Sequence, residues 1–280
     1  MPFPDFDPVL IHIGPLAIRW YALAYVAGIL LGWRYAVWLV RNHRLWGAQT
    51  PTANPVQIDD LVLWITLGVI LGGRLGYVLF YDSQLIWTDP LEILKVWHGG
   101  MSFHGGLIGV CLAITGFASA NKIDILKLGD LVAPVVPLGL GFGRIANFIN
   151  GELWGRPTTL PWGVIFPDAP TLEPRHPSQL YEAALEGLVL FLVLRFLTHR
   201  KLWLQRRGGL VGAFLVGYAI IRIALENVRQ PDVFMPNFPL GLTMGMMLSI
   251  PMLLIGAFLI WRASRQGPVA AAPAAAPAAD

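Results

Sequence analysis

Seven apolar stretches constrain this chain more than any other feature. They run roughly 17–40, 59–81, 104–120, 128–149, 178–198, 209–227 and 240–262. A helix needs about 20 apolar residues to cross the hydrocarbon core of a bilayer. Within lipid, only helices and closed barrels satisfy their own backbone. Only 13% of the 280 residues are charged, about half the share of a soluble domain. The expected fold is therefore all-α: a polytopic integral membrane helical bundle of about seven transmembrane helices. Gly72, Gly73 and Gly76 interrupt the second stretch, and Pro134 and Pro137 the fourth. Such breakers are tolerated where neighbouring helices satisfy the freed backbone. Gly139 and Gly143 form a small-xxx-small pair, which predicts close helix approach.

The loops set the orientation. Ten basic residues fall on one side: Arg41, Arg44, Lys122, Lys127, Arg200, Lys201, Arg206, Arg207, Arg262 and Arg265. The other side holds four: Lys95, Arg156, Arg175 and Arg229. The richer side belongs in the cytoplasm, so the N-terminus is expected outside and the C-terminus inside. The net charge of +3 follows from these loops and does not point to nucleic acid. Met1–Pro8 carries two acids and no Lys or Arg. It thus lacks the basic region of a cleavable signal peptide. Residues 267–280 form an Ala/Pro tract, expected to be a disordered cytoplasmic tail. The single cysteine, Cys111, cannot form a disulfide within the chain and reads as a packing residue. The six histidines are scattered without ligand spacing, so no metal site is expected.

Against this background, certain polar residues stand out. A charge at the centre of a membrane helix costs about 2.5–3.5 kcal/mol on insertion scales, so its default reading is functional. Tyr21, Arg74, His104, Arg144, Asn147, Asn150, Glu152, Gln179, Glu182, Arg222, Glu226 and Arg229 all fall near the outer ends of their stretches. Arg144, Asn147 and Asn150 are three residues apart and share a helix face. Arg222, Glu226 and Arg229, four and three apart, share another. Two readings of Arg144 and Arg222 are open. Each could be structural, paired with a carboxylate such as Glu152 or Glu226. Alternatively, they line an outer-leaflet cavity for an anionic headgroup, because guanidinium binds phosphate as a bidentate fork. His104, between Gly99-Gly100 and Gly105-Gly106, reads either as a helix-start polar residue or as an acid/base. Ser178 is expected to cap the fifth helix, and Trp154 and Trp162 to lie in an interfacial belt.

Longer motifs carry a resemblance. They are Arg19-Trp-Tyr21, Gly72-Gly-Arg-Leu-Gly-Tyr77, Phe103-His-Gly-Gly-Leu-Ile-Gly109, Gly143-Arg-Ile-Ala-Asn-Phe-Ile-Asn-Gly-Glu-Leu-Trp-Gly-Arg156, Arg175-His-Pro-Ser-Gln-Leu-Tyr-Glu182 and Arg222-Ile-Ala-Leu-Glu-Asn-Val-Arg-Gln-Pro-Asp232. With these the chain resembles the bacterial prolipoprotein diacylglyceryl transferase family, to about Arg265. The Ala/Pro tail is not a family feature.

The resemblance implies transfer of diacylglyceryl from phosphatidylglycerol to the lipobox cysteine of a preprolipoprotein. The products would be a thioether and glycerol 1-phosphate, the first step of lipoprotein maturation. It implies His104, Arg144 and Arg222 as catalytic residues. It implies Tyr21, Asn147, Glu152, Gly155, Glu226 and Arg229, with both arginines, as the headgroup site. No cofactor is expected. The partners would be phosphatidylglycerol, the lipobox-bearing signal peptide and the bilayer. Residues 1–266 would be one transmembrane catalytic domain with a small periplasmic loop region near 151–177. It would lie in the bacterial cytoplasmic (inner) membrane, its active site toward the periplasmic leaflet. The rival class is a lipid flippase or transporter with an anionic-headgroup site. It would need polar lining at both depths, and the sequence offers it at one.

Overall fold

A computed structural model of the chain describes residues 1–4, 6–14, 16–231 and 241–266. The Ala/Pro tail, the end of the Arg222–Asp232 motif and residue 240 of the seventh stretch lie outside the described residues. The chain divides into two compact units, one built from residues 1–50 and 129–280, the other from 51–128.

The first unit opens with a hairpin that the all-α expectation missed, β1 (Val9–Ile13) and β2 (Leu16–Arg19), paired antiparallel. It runs directly into α1 (Trp20–Arg41). In the smaller unit, α2 (Pro55–Phe80) starts with a reciprocal capping box. Asn54 Oδ1 accepts from Gln57 N at 2.9 Å, and Gln57 Oε1 accepts from Asn54 N at 3.0 Å. These bonds satisfy two of the orphan donors at the helix start. A short α3 (Leu85–Thr88) and two 3₁₀ turns lead to α4 (Phe103–Ala120), which Ser102 caps by accepting from Gly105 N at 3.2 Å.

The α2–α4 contact is backbone on backbone. A Cβ on Gly72 would sit 2.8 Å from Gly109 Cα, and one on Gly76 2.6 Å from Gly105 Cα. Those distances leave no room for a side chain. An adjoining face of α2 carries Leu63, Leu67, Leu71, Leu75 and Leu79, spaced by four and 48–58% exposed. A soluble protein rarely exposes so continuous an apolar stripe, whereas a lipid-facing helix must.

α5 (Ile125–Val132) and α6 (Val136–Ile149) form the fourth stretch, bent by 46°. The bend falls at Pro134, which has no N–H for the ladder. The fifth stretch is a helix from Ser178 to His199: α7 (Ser178–Glu182), a π segment (Ala183–Val189) and α8 (Leu190–His199). α9 (Gly209–Leu225) and α10 (Met244–Ser264) complete the first unit. Buried Asp130, at the end of α5, accepts from the backbone N–H groups of Gly208, Leu210 and Val211 at 2.5–3.0 Å. It therefore fixes the start of α9.

Among the described residues, four helices are long and apolar enough to cross a membrane, or five if the bent pair is one span. α9 is a shorter apolar helix.

Candidate active site

Within the first unit, α6, the Ser178–His199 helix and α9 bring three arginines and three glutamates together. Glu182, 1% exposed, is the hub. Its Oε2 lies 2.7 Å from Arg144 Nε, its Oε1 3.6 Å from Arg222 Nη1, and Oε1 also accepts from Arg229 Nη1. Glu226 Oε1 bridges Arg222 Nη2 at 2.6 Å and Arg229 Nε at 3.6 Å. Glu186 is fully buried, with Oε2 3.7 Å from Arg144 Nε.

Local sequence explains each position. Arg222 and Glu226 are four apart on a helix, the spacing that lets side chains meet. Arg144 reaches the glutamates because α6 and the π segment cross at two glycines. A Cβ on Gly187 would lie 2.6 Å from Gly141 Cα. Gly245 on α10 leaves space for the pair on α9, since a Cβ there would lie 2.7 Å from Glu226 Cδ and 3.1 Å from Arg222 Nε.

The arginines are not equally engaged. Arg144 is held at Nε only; among the described residues neither of its Nη groups has a protein acceptor, and the side chain is 18% exposed. Arg222 Nη1 is buried and, among the described residues, has no hydrogen-bond acceptor. Two guanidiniums with unfilled N–H groups, beside a third held by Glu182 and Glu226, suit an oxyanion, above all a phosphate.

The polar turn after α6 forms the next layer. Asn147 Nδ2 donates to Glu152 Oε1 at 2.8 Å, and Asn150 Nδ2 approaches the same oxygen at 3.5 Å. Gln179 Nε2 donates to the Glu152 carbonyl at 2.6 Å. Gly155 is bracketed by backbone, for a Cβ there would meet Val228 O at 2.5 Å and His176 O at 2.7 Å. Arg156 N donates to Val228 O at 2.8 Å, tying this turn to the chain beside Arg229. Tyr25 OH meets Tyr21 OH at 3.4 Å on the first turns of α1, and Tyr25 lies within electrostatic reach of Glu152 and Arg144. Trp162 Nε1 donates to Tyr181 OH at 2.7 Å, and His176 Nδ1 lies 3.3 Å from that hydroxyl. Burial holds the His176 pKa below its ordinary value.

The structure thus gathers Arg144, Arg222, Glu226 and Arg229 with one another, and Asn147 with Glu152. His104 belongs to the other unit, exposed on the first turn of α4 with its ring 5.6 Å from that of Phe103. Several expectations change. The carboxylate against Arg144 is Glu182, not Glu152, whose side chain pairs with Asn147. Ser178 does not cap its helix; its hydroxyl donates to Leu153 O at 3.1 Å. Among the described residues Gly143 makes no close approach, with nothing within 4 Å of its Cβ position, whereas Gly141 does. Arg74 serves its own loop, donating to the carbonyls of Glu92, Ile93, Gly99 and Gly100. The site glutamate that sequence reasoning missed is Glu186. Its signal was present: an acid four residues after Glu182 in an apolar helix.

The fold and site define a helical protein with several membrane-length apolar helices and a buried arginine–glutamate cluster suited to an anionic headgroup. The profile of the prolipoprotein diacylglyceryl transferase family matches residues 8–262, and the chain belongs to that family. It is 64% identical to a phosphatidylglycerol–prolipoprotein diacylglyceryl transferase of Phenylobacterium zucineum, over 99% of this chain and 100% of the relative. It is 62% identical to the protein of that name from Caulobacter sp. strain K31, over 95% and 96%. The Bradyrhizobium diazoefficiens relative is 55% identical, over 95% and 94%.

Proposed function

We propose that this protein transfers the diacylglyceryl group of phosphatidylglycerol to the lipobox cysteine of preprolipoproteins. The observation that carries this reading beyond family membership is the arginine fork of Arg144, held from behind by Glu182 with both Nη groups unfilled among the described residues.

In the reaction the cysteine thiol loses its proton, and sulfur bonds to the glyceryl carbon that bears the phosphate ester. The carbon–oxygen bond breaks, and its electron pair leaves on the phosphate as glycerol 1-phosphate. The phosphate gains negative charge as this occurs. Preorganised arginine donors in a dry site stabilise such charge strongly. We assign Arg144 to the lipid phosphate and Arg222 to the phosphate or leaving group, with Glu226 and Arg229 holding Arg222. Tyr21, Asn147, Glu152 and Gly155 shape the headgroup seat. A free thiol has a pKa of about 8.5 and needs a base or a positive field. His104 is assigned to that proton on its sequence setting, because arginine is too weak an acid to serve as a base.

Residues 1–266 act in this reading as one membrane catalytic domain with seven spans: α1, α2, α4, the α5–α6 pair, the Ser178–His199 helix, α9 and α10. The N-terminus and the 151–177 loop face the periplasm. The C-terminus and the 267–280 tail face the cytoplasm of a bacterium, with the active site toward the periplasmic leaflet of the inner membrane. The distribution of loop Lys and Arg supports this orientation. The test is reconstitution with phosphatidylglycerol and a lipobox peptide. A diacylglyceryl mass gain on the peptide cysteine, lost in a folded Arg144→Ala variant, is the expected result. No gain under conditions where a relative works would refute the reading.

A further inference from the structure

Glu186 is the one acid of the cluster that the proposed chemistry leaves without a task. It is fully buried, and among the described residues neither carboxylate oxygen has a hydrogen-bond partner. Stranding a carboxylate in this way is costly unless it acts on a neighbouring charge. The backbone around it is also unusual. Glu186 lies in the π segment Ala183–Val189, a rare widened helix form that is frequent at functional sites. Its neighbour Gly187 touches Gly141 at the crossing with α6. Arg144 lies one helical turn along α6 from that contact. The crossing therefore sets Glu186 against the Nε edge of Arg144, at 3.7 Å, beside Glu182 at 2.7 Å.

We propose that Glu186 is a positioning residue for Arg144. With Glu182 it forms a two-point anionic seat for the Nε edge of the guanidinium, which keeps the two Nη groups turned to the lipid phosphate. It acts on the lipid only through Arg144. The inference rests on the proposed transfer activity for its meaning, but not for its measurement. Arg222, Arg229 and Tyr218 also lie in its electrostatic surroundings. Arg222 and Arg229 have their own carboxylate partners in Glu182 and Glu226, so removing Glu186 isolates the Arg144 seat.

The experiment is a double-mutant cycle read by binding of phosphatidylglycerol to the full-length protein in nanodiscs of zwitterionic lipid. Glu186→Gln is expected to weaken binding about tenfold in the wild-type background, within the range of coupling for residues in contact. In the Arg144→Ala background the same change is expected to cost less than twofold. Equal losses in both backgrounds, or no loss in the first, overturn the proposal. If Glu186→Gln does not fold, the cycle is run with Glu186→Asp, which keeps the charge but shortens its reach. Non-additivity with Arg144→Ala is again expected, and additivity overturns the proposal. The wild-type transfer assay is run in parallel. Wild-type inactivity alongside an intact coupling would remove the transferase reading and leave the seat standing.

Discussion

Gly245→Ala is the sharpest structural probe of the arginine cluster, because it adds one methyl group without replacing a charged residue. The new Cβ would lie 2.7 Å from Glu226 Cδ and 3.1 Å from Arg222 Nε, and closer still to Glu226 Oε1. Ordinary carbon contacts begin near 3.5 Å, so Glu226 must retreat by somewhat under about 1 Å. Its Oε1 is the atom that holds Arg222 Nη2 at 2.6 Å. Overpacking of this kind typically costs about 1–3 kcal/mol, and full loss of a buried partner about 3–5 kcal/mol. A misplacement of about 1 Å in a catalytic group can cost roughly a hundredfold in rate. We therefore expect kcat/KM for phosphatidylglycerol to fall about 10- to 100-fold. The assay is steady-state transfer to a lipobox peptide, with folding checked by size exclusion and thermal unfolding. Gly143→Ala is the control, since nothing among the described residues lies within 4 Å of its Cβ position. It should retain wild-type activity despite lying beside Arg144. A folded Gly245→Ala with wild-type kinetics would refute the reasoning.

Further outcomes follow from the same contacts. Asp130→Ala leaves three N–H groups at the start of α9 without their acceptor and should cost about 1–2 kcal/mol as a lost cap. A thermal midpoint equal to wild type would contradict that. His176 has a folded-state pKa lowered by burial, so the unfolded chain binds the proton more readily. Its contribution to stability is full above the usual histidine value and is lost as pH falls through the lowered one. Unfolding curves of wild type and His176→Asn should differ in pH slope just below that usual value, and parallel slopes would refute the assignment. Cys111 is exposed on α4, and the nucleophile comes from the substrate, so Cys111→Ala should transfer at the wild-type rate. An inactive but folded variant would sink the scheme.

The helices were legible because lipid imposes a length and a composition. The third stretch, read at 104–120, is the helix Phe103–Ala120, and the sixth, read at 209–227, is Gly209–Leu225. The cost of a charge in lipid also made Arg144 and Arg222 legible. Their partners were harder to read, because a carboxylate can reach an arginine from another helix as easily as from its own turn. Glu152 looked near to Arg144 along the chain, but the turn after α6 gives it to Asn147. Glu186 was hidden for a related reason. It is one acid in an apolar run, and only the Gly141–Gly187 crossing and the π segment bring it to Arg144. The β1–β2 hairpin escaped because its residues continue the apolar pattern of α1. Asp130 drew no reading from the sequence, because its role depends on the backbone N–H groups at the start of α9 that it meets only in the fold.

The measurement that bears most directly on the central claim follows one oxygen atom. Phosphatidylglycerol is prepared with ¹⁸O in the bridge between the diacylglyceryl carbon and phosphorus, then incubated with the reconstituted protein and a lipobox peptide. Attack of sulfur at carbon, with the arginine cluster receiving the leaving phosphate, predicts that the label departs in glycerol phosphate and that the peptide gains an unlabelled diacylglyceryl thioether. Label recovered in free diacylglycerol, with an unmodified peptide, would mean cleavage at phosphorus and would contradict the account.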